Sequence, residues 1–326
     1  MPKVSLIIPV YNVERYLRRC LDSVITQDFD DYEVICVNDC SPDESYKILE
    51  EYQNRYPQKV RVLKNEENMG QGRSRIHGLN HSTGQYIMFV DSDDHIKCDY
   101  IRTFVEAIEK EQCDMVVGGY VRDIDGKYND CPVADSIWSV VTYPVAWGKI
   151  FKRQFLIDNN IHFTHVRQGE DVFFSLNVLY YVKNYKVIEY CGYYYYLNRQ
   201  STTTSMNYDK NFEEVVSLMF DLFMEKCDIT LVSKEKRDII EYTYLANMIN
   251  ALITYGHGGK INRMRKKYNF YISDLNKRFP NYRVNPHIGI LKPKGQTLKI
   301  RLGVGVVMLL SKIKLDRILF YLISLV

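Results

Sequence analysis

Asp91, Asp93 and Asp94 follow directly on the apolar run Tyr86-Ile-Met-Phe-Val90. Five apolar, aromatic or β-branched residues leave no room for helix spacing and predict a short buried strand. If the extended backbone persists, Asp91 and Asp93 share one face while Ser92 and Asp94 take the other. Two carboxylates side by side repel unless a cation lies between them. A ligand set made only of oxygen suits Mg2+ or Mn2+ rather than zinc. An acidic turn closing a strand is the plain alternative, and the neighbouring elements have to decide between the two.

Residues 4–10 are apolar around Pro9 and read as a first strand, with Tyr11-Asn12 as its exit. Asn12 is placed to cap a helix whose apolar positions Val13, Tyr16, Leu17, Cys20, Leu21, Val24 and Ile25 recur at helical spacing. Residues 33–37 form the second predicted strand, ending at Asn38-Asp39. Ser41-Pro42-Asp43-Glu44 then opens a helix, with Ser41 as cap, Pro42 at the first helical position and Glu44 completing a capping box. A strand at 60–63, the stretch Asn68-Met-Gly-Gln-Gly-Arg-Ser-Arg75, a helix to about residue 81 and the Asp91 strand follow. Strand and helix alternating at these lengths predict a parallel, doubly wound sheet, whose ligands lie at the carboxyl ends of the strands. Tyr11, Asp39 and the Asp91/Asp93 pair each sit just past a strand end, so one wall of one cleft should carry them all.

Further on, the pattern predicts a helix at 100–111, a strand at 114–120 and a flexible polar loop over 123–135. The Trp147-Gly-Lys-Ile-Phe151 segment, a helix at 153–159 and a helix from Gln168-Gly-Glu-Asp171 through Tyr181 come next. Glu170 and Asp171 in a first turn favour the positive helix end whatever their chemistry. Trp147 suits either stacking on a bound ligand or the plugging of a loop against the sheet. A late strand at 187–198 carries Tyr193 to Tyr196, of which alternate side chains can line a cleft. Arg199 and Ser201 to Thr204 form a polar loop after that strand, positioned as a lid over the cleft. His77 falls within a helix, and His95 follows the acidic motif as a supporting group. Helices at 212–225, 234–255 and 261–278 mark a change of organisation near residue 200.

The 326 residues, 46% hydrophobic and 25% charged, suffice for one large α/β domain and a helical appendage. A net charge of +3 is too small to indicate nucleic acid. Eight scattered cysteines without a C-x-x-C pair read as reduced, buried thiols of a cytosolic protein, and the opening strand is preceded by no signal peptide. Between residues 287 and 326, seven Lys/Arg stand against the single acid Asp316 and flank apolar runs at 302–310 and 318–326. Each run is too short to span a bilayer, so this tail is expected either to lie in plane on an anionic membrane surface or to pack on the domain as a terminal helix.

Ser5-Leu-Ile-Ile-Pro-Val-Tyr-Asn12, Val37-Asn-Asp-Cys-Ser41, Asn68-x-Gly70 with Arg75 and Gly78-Leu79, Asp91-Ser-Asp-Asp94 and Gly169-Glu-Asp171 occur in this order and spacing. Together they resemble the inverting glycosyltransferases of family 2. The resemblance implies a GT-A fold: α/β, Rossmann-like, a mainly parallel sheet flanked by helices, followed here by an α-helical C-terminal region. It implies a catalytic domain over 1–200, with a nucleotide-sugar half at about 1–95 and an acceptor half at about 96–200, then a helical region at 201–286 and the tail at 287–326. Pro9, Tyr11 and Asp39 would then line the nucleotide, with Asp39 on the base imide and Tyr11 packed on its ring. Arg75 would support the base or diphosphate, Asp91 would reach the ribose and metal, and Asp93 would ligate Mn2+ or Mg2+. Asp171 would be the general base, with Glu170 and Trp147 near the acceptor. The implied partners are a nucleotide-sugar donor, a UDP-sugar foremost, and a glycan or undecaprenyl-diphosphate-linked acceptor, in cell-surface polysaccharide synthesis at the inner membrane face. Family members often carry Ser at position 72 and Ala-Arg-Asn at 74–76, where this chain has Gly72 and Ser74-Arg75-Ile76. A nucleotidyltransferase lacks its Gly-rich phosphate loop after the first strand. The remaining alternative is a non-catalytic sugar-nucleotide-binding assembly subunit.

Overall fold

The computed structural model describes residues 1–166, 168–197, 211–257 and 261–325. These cluster into two compact units, residues 1–135 with 143–204 and residues 136–142 with 205–326.

The first unit is built on β1 (Val4–Val10), α1 (Glu14–Ile25), β2 (Tyr32–Asn38), α2 (Ser45–Arg55), β3 (Val60–Lys64), α3 (Gln71–His81) and β4 (Tyr86–Phe89). β1, β2 and β4 are buried along their whole or nearly whole length, as strands covered by helices on both faces must be. Next come β5 (His95–Ile96), α4 (Tyr100–Glu111), β6 (Met115–Ile124) and β7 (Lys127–Cys131). The second unit interrupts with α5 (Ser139–Thr142), and the first resumes with β8 (Lys149–Lys152), α6 (Arg153–Asp158), α7 (Glu170–Tyr181) and β9 (Tyr185–Tyr196).

Among the described residues the strands form one nine-stranded sheet, ordered β3-β2-β1-β4-β8-β6-β9-β5, with β7 as a hairpin partner of β6. The half from β3 to β4 is parallel, as the alternation predicts. Beyond β4 the sheet turns mixed: β8 runs antiparallel to both β4 and β6, and β6 pairs parallel with β9. The fully parallel expectation therefore holds for the first half only.

The second unit comprises α5, α8 (Phe212–Lys226), α9 (Lys234–Tyr255), α10 (Ile261–Arg278), α11 (Leu298–Lys312) and α12 (Asp316–Ile323). Polar bonds pin its helices: Lys267 pairs with Glu213 in the interior, and Arg278 holds Asp274 at 2.9 Å and Asp221 at 2.8 Å. The short α5 belongs here because Trp138 packs edge-on against Tyr242 and His287, and Thr142 Oγ1 donates to the Gly295 carbonyl at 2.8 Å. The expected organisational change near residue 200 and the lid residues Arg199 and Ser201 to Thr204 lie outside the described residues.

Three local expectations change. Asn12 does not cap α1; it sits at φ 55° and the helix starts after Val13. Ser41 does not cap α2 either, since its hydroxyl donates to the Val10 carbonyl at 3.2 Å. Instead the two helix starts cap each other: the Glu14 amide donates to Asp43 Oδ2, and the Glu44 amide donates to Glu14 Oε2. The polar segment 123–135 is largely a hairpin, because Asp125-Gly126 take positive φ and let β7 return along β6.

α3 lies so close across β1 and β2 that a Cβ on Gly78 would stand 2.5 Å from Ile7 Cγ2 and 3.3 Å from Val37 Cγ2. Gly78→Val should therefore destabilise the protein by about 1–3 kcal/mol through overpacking, read as a lower urea midpoint at unchanged slope. An unchanged midpoint would show that the helix can lift off the sheet without cost.

Candidate active site

The chain visits β2 and β3 on one side of β1 and then returns to β4 on the other, so the sheet has its switch point between β1 and β4. A crevice at the carboxyl ends of these two strands is the expected result. Pro9 helps to open it. The Ile7 carbonyl accepts from the Val90 amide at 3.1 Å, so Pro9, two residues on, faces the same side. There the chain after β4 has already turned away, and the missing proline N–H costs no ladder bond.

That departure is the turn Asp91–Asp94, closed by the Asp94 amide donating to the Asp91 carbonyl at 3.1 Å. Extension does not persist, yet exposure still alternates: Ser92 and Asp94 are buried while Asp91 and Asp93 are half-buried. The turn is fixed from several sides. The Tyr193 hydroxyl accepts from the Asp91 amide at 3.0 Å and donates to Asp94 Oδ2 at 2.6 Å, and the Tyr196 amide donates to Asp94 Oδ1 at 2.8 Å. Arg19 of α1 donates to the Asp93 carbonyl at 2.8 Å. Burial, with Asp93 and Asp91 adding to it, pushes the Asp94 carboxyl well above the usual range. Asp94 thus shapes the turn, and the two half-buried carboxylates are the ones presented.

Arg75 on α3 is fully buried and joins this turn to α7. Its Nη2 meets Asp91 Oδ1 at 2.6 Å and its Nη1 meets Asp171 Oδ1 at 3.0 Å. The guanidinium sits 5.2 Å from the Phe163 ring centroid. Phe163 in turn stacks on Phe174 at 4.3 Å, and both pack edge-on against Phe89 at the end of β4. This aromatic cluster sets the start of α7 relative to β4. Gly72 allows α3 to approach α7, for a Cβ there would lie 3.0 Å from the Thr164 carbonyl oxygen and 3.1 Å from Glu170 Cγ.

Burial opposes the charge of Arg75, but Asp171, Asp91 and Glu170 outweigh it and raise its pKa. Asp171 is raised above the ordinary carboxylate value by burial and Asp91, with Arg75 and Lys149 restraining the shift. Glu170, 3% exposed and accepting from Gln71 Nε2, is pushed up to about 7 by burial and by Asp171. Among the described residues neither Asp91 Oδ2 nor Asp171 Oδ2 accepts a hydrogen bond. No group of three or more His, Cys, Asp or Glu side chains among the described residues forms a metal cluster.

Asp39 is placed beside this network, at the end of β2. Its Oδ1 accepts from Asn65 Nδ2 at 2.7 Å and the Met69 amide at 2.9 Å, and its Oδ2 accepts from the Gly70 amide at 2.7 Å. It thereby holds the loop that leads into α3, with one of its roughly four lone-pair positions left over. His77 reaches the same cluster through Asn65 Oδ1 at 2.7 Å. Tyr11 stands 45% exposed at the exit of β1.

Trp147 is 6% exposed and stacks on Tyr193 at 4.4 Å, so of its two expected uses the structure supports packing against the sheet. His95 stacks on Tyr194. Lys149 was not anticipated. Its ammonium is buried, donates to the carbonyls of Val145 at 2.6 Å and Tyr143 at 3.1 Å, and is pushed down to about 8 by burial despite Asp171. A lysine set between Trp147-Gly148 and Ile150-Phe151 was the available signal, since a charge buried there must have a partner. All eight cysteines are free; Cys20, Cys36, Cys113 and Cys227 are buried, whereas Cys40 and Cys98 are exposed and correct the expectation of buried thiols throughout.

Glu170 keeps its proton to about pH 7 in the folded state but releases it near its ordinary 4.5 when unfolded. The folded state binds more protons in that window, so stability falls as pH rises through it. Glu170→Gln should match the wild type near the lower limit and exceed it above pH 7 by on the order of 2 kcal/mol, measured by thermal melts across pH. A gap that does not widen with pH would mean that Glu170 is charged throughout.

The sequence profile of Glycosyl transferase family 2 matches residues 5–167. A poly(ribitol-phosphate) beta-glucosyltransferase of Bacillus spizizenii is 32% identical over 216 residues, covering 63% of this chain and 34% of the relative. The chain thus spans about a third of the length of the first curated relatives it matches. The crystal structure of S. aureus TarS 1-349 in complex with UDP-GlcNAc superposes with TM-score 0.65 at 23% identity, over 86% of this chain and 91% of that one. The mannosyltransferase PcManGT from Pyrobaculum calidifontis, in complex with GDP-Man and Mn2+, does so with TM-score 0.56 at 16% identity, over 95% and 88%. At these identities the likeness is one of fold, a mixed sheet flanked by helices with a helical C-terminal region, as in GT-A enzymes. Half of the chain, including the switch point and the acidic turn, falls within the profile, and the chain belongs to glycosyl transferase family 2.

Proposed function

We propose that this chain transfers a sugar from a nucleotide donor, a UDP-sugar foremost, to a hydroxyl of a glycan or lipid-linked oligosaccharide, with inversion at the anomeric carbon. The observation that carries this reading is the buried Arg75 bridging Asp91 and Asp171. One guanidinium ties the acidic turn to a carboxylate at the mouth of α7, which is what an in-line displacement between leaving group and acceptor requires. Family membership and the UDP-GlcNAc named for the TarS structure support the donor class. Residues 1–95 make the donor half in this reading and 96–200 the acceptor half. The eight unpaired cysteines support a reducing, cytoplasmic setting.

Asp171 acts as the base. Arg75 holds its Oδ1, and Oδ2 takes the proton of the acceptor hydroxyl as that oxygen bonds to the anomeric carbon and the diphosphate departs with the bonding electrons. A pKa raised by burial makes Asp171 a stronger base than an exposed carboxylate. Glu170, close to neutral protonation, orients the acceptor or the Gln71 amide. Pro9 and Tyr11 border the base pocket, and Asp39 adds its remaining lone pair to the base imide while fixing the loop at Met69-Gly70.

Asp91 and Asp93 fit a hard divalent cation: both are half-buried carboxylates on one turn, and Asp91 keeps Oδ2 out of the Arg75 pair. Mg2+ or Mn2+ commonly uses one or two protein carboxylates and completes its shell with phosphate and water oxygens. When bound, the ion would offset the charge that gathers on the departing diphosphate.

Asp93→Asn should abolish transfer, and EDTA should silence the wild type until Mn2+ or Mg2+ is restored, measured as nucleotide release from UDP-sugars and GDP-mannose. Full activity in EDTA would remove the metal from this reading. Asp171→Asn should leave donor affinity nearly unchanged while lowering turnover about 10²-fold or more, by calorimetry and steady-state kinetics respectively. Lost donor affinity with preserved turnover would move Asp171 to the donor site, and donor binding without any turnover by the wild type would favour a non-catalytic assembly subunit.

A further inference from the structure

We propose that the surface formed by α11 and α12 lies on an anionic lipid bilayer, with both helices in the plane of the headgroups. This rests on the second unit alone and is independent of the catalytic reading. α11 buries Val304, Val307 and Met308 against its own unit, yet it also carries a second apolar stripe on the outside. Leu298, Leu302, Val306, Leu309 and the capping Ile313 are 38–61% exposed. At 100° per residue these five positions fall within an arc of about 80°. On α12 and its ends, Leu315, Ile318, Leu322 and Leu325 repeat the pattern at 42–66% exposure. A helix on a water-facing surface places polar residues at such positions, and apolar stripes of this kind mark a partner.

Charge selects the partner. Lys299 and Lys312 border the α11 stripe on its two sides, and Lys314 and Arg317 follow in the turn and in α12, all exposed. The acid of this segment, Asp316, is 3% exposed and accepts from the Tyr268 hydroxyl at 2.9 Å, so it does not offset them. An apolar stripe rimmed only by cations suits lipid tails beneath anionic headgroups, with the lysine stems reaching up to the phosphates. Two copies of this face brought together would set their cationic rims against each other. No helix among the described residues is long and apolar enough to cross a membrane, so the contact is in plane.

The test is flotation of the full chain with vesicles of phosphatidylcholine alone or mixed with phosphatidylglycerol at about 7:3. The wild type should bind the mixed vesicles about tenfold more tightly or better, and raised salt should weaken that binding. Lys312→Glu/Lys314→Glu should remove the preference for the anionic vesicles. Leu302→Glu/Leu309→Glu, at exposed positions that leave the core intact, should weaken binding to them about tenfold or more. Equal, weak flotation of the wild type with both vesicle types overturns the proposal without recourse to any variant. So does a wild-type dimer, seen in sedimentation, that the leucine variant dissociates.

Discussion

A fully buried guanidinium held between two carboxylates is the constraint on which the first unit depends. Arg75 is 0% exposed, and removing water from such a charge is tolerable only with close, well-oriented partners. Asp91 and Asp171 meet that demand from opposite directions, one from the turn after β4 and one from the first turn of α7. The pair does more than neutralise. It makes the separation of two chemically distinct carboxylates a property of one rigid, planar group, and the Phe89, Phe163 and Phe174 cluster beneath leaves that group little freedom. Loss of either carboxylate would leave the buried guanidinium with a single anionic partner, and loss of both would strand it, at a cost of about 3–5 kcal/mol or more. Stability and the geometry of the site are therefore coupled at the same three residues.

Local pattern made the first half of this fold legible. Residues 4–10 are apolar apart from Ser5 and do not alternate, as a fully covered parallel strand requires, and the strand is found at those residues. The helices at 100–111, 234–255 and 261–278 follow from their periodicity and end at those residues. What was not legible depended on partners distant in sequence. Asn12 and Ser41 have the right chemistry for caps, but Asp43 and Glu14 satisfy the helix ends across a 29-residue separation. The antiparallel insertion of β8 between β4 and β6 is a matter of tertiary choice that no local period encodes.

The candidate site divides in the same way. The presentation of Asp91 and Asp93 was readable from alternation, even though a turn and not an extended strand delivers it. The roles of Gln71 and Tyr193 were not, because each acts through contacts with residues about a hundred positions away, and Lys149 answers to Asp171 on another element. For Trp147 the sequence left two uses open, and stacking on Tyr193 gives its ring to packing.

Tyr193 deserves a last consequence. A single phenol on β9 accepts from the Asp91 amide and donates to Asp94, so the acidic turn of the first ninety-odd residues is braced by a side chain about a hundred positions later. Residues 1–95 are therefore not a portable module. Loops or whole helices elsewhere in the unit could be exchanged, but a replacement that failed to carry a hydroxyl to this point would loosen the very turn it was meant to serve. Any exchange of segments that keeps the turn in place has to carry β9 and the β4 exit together.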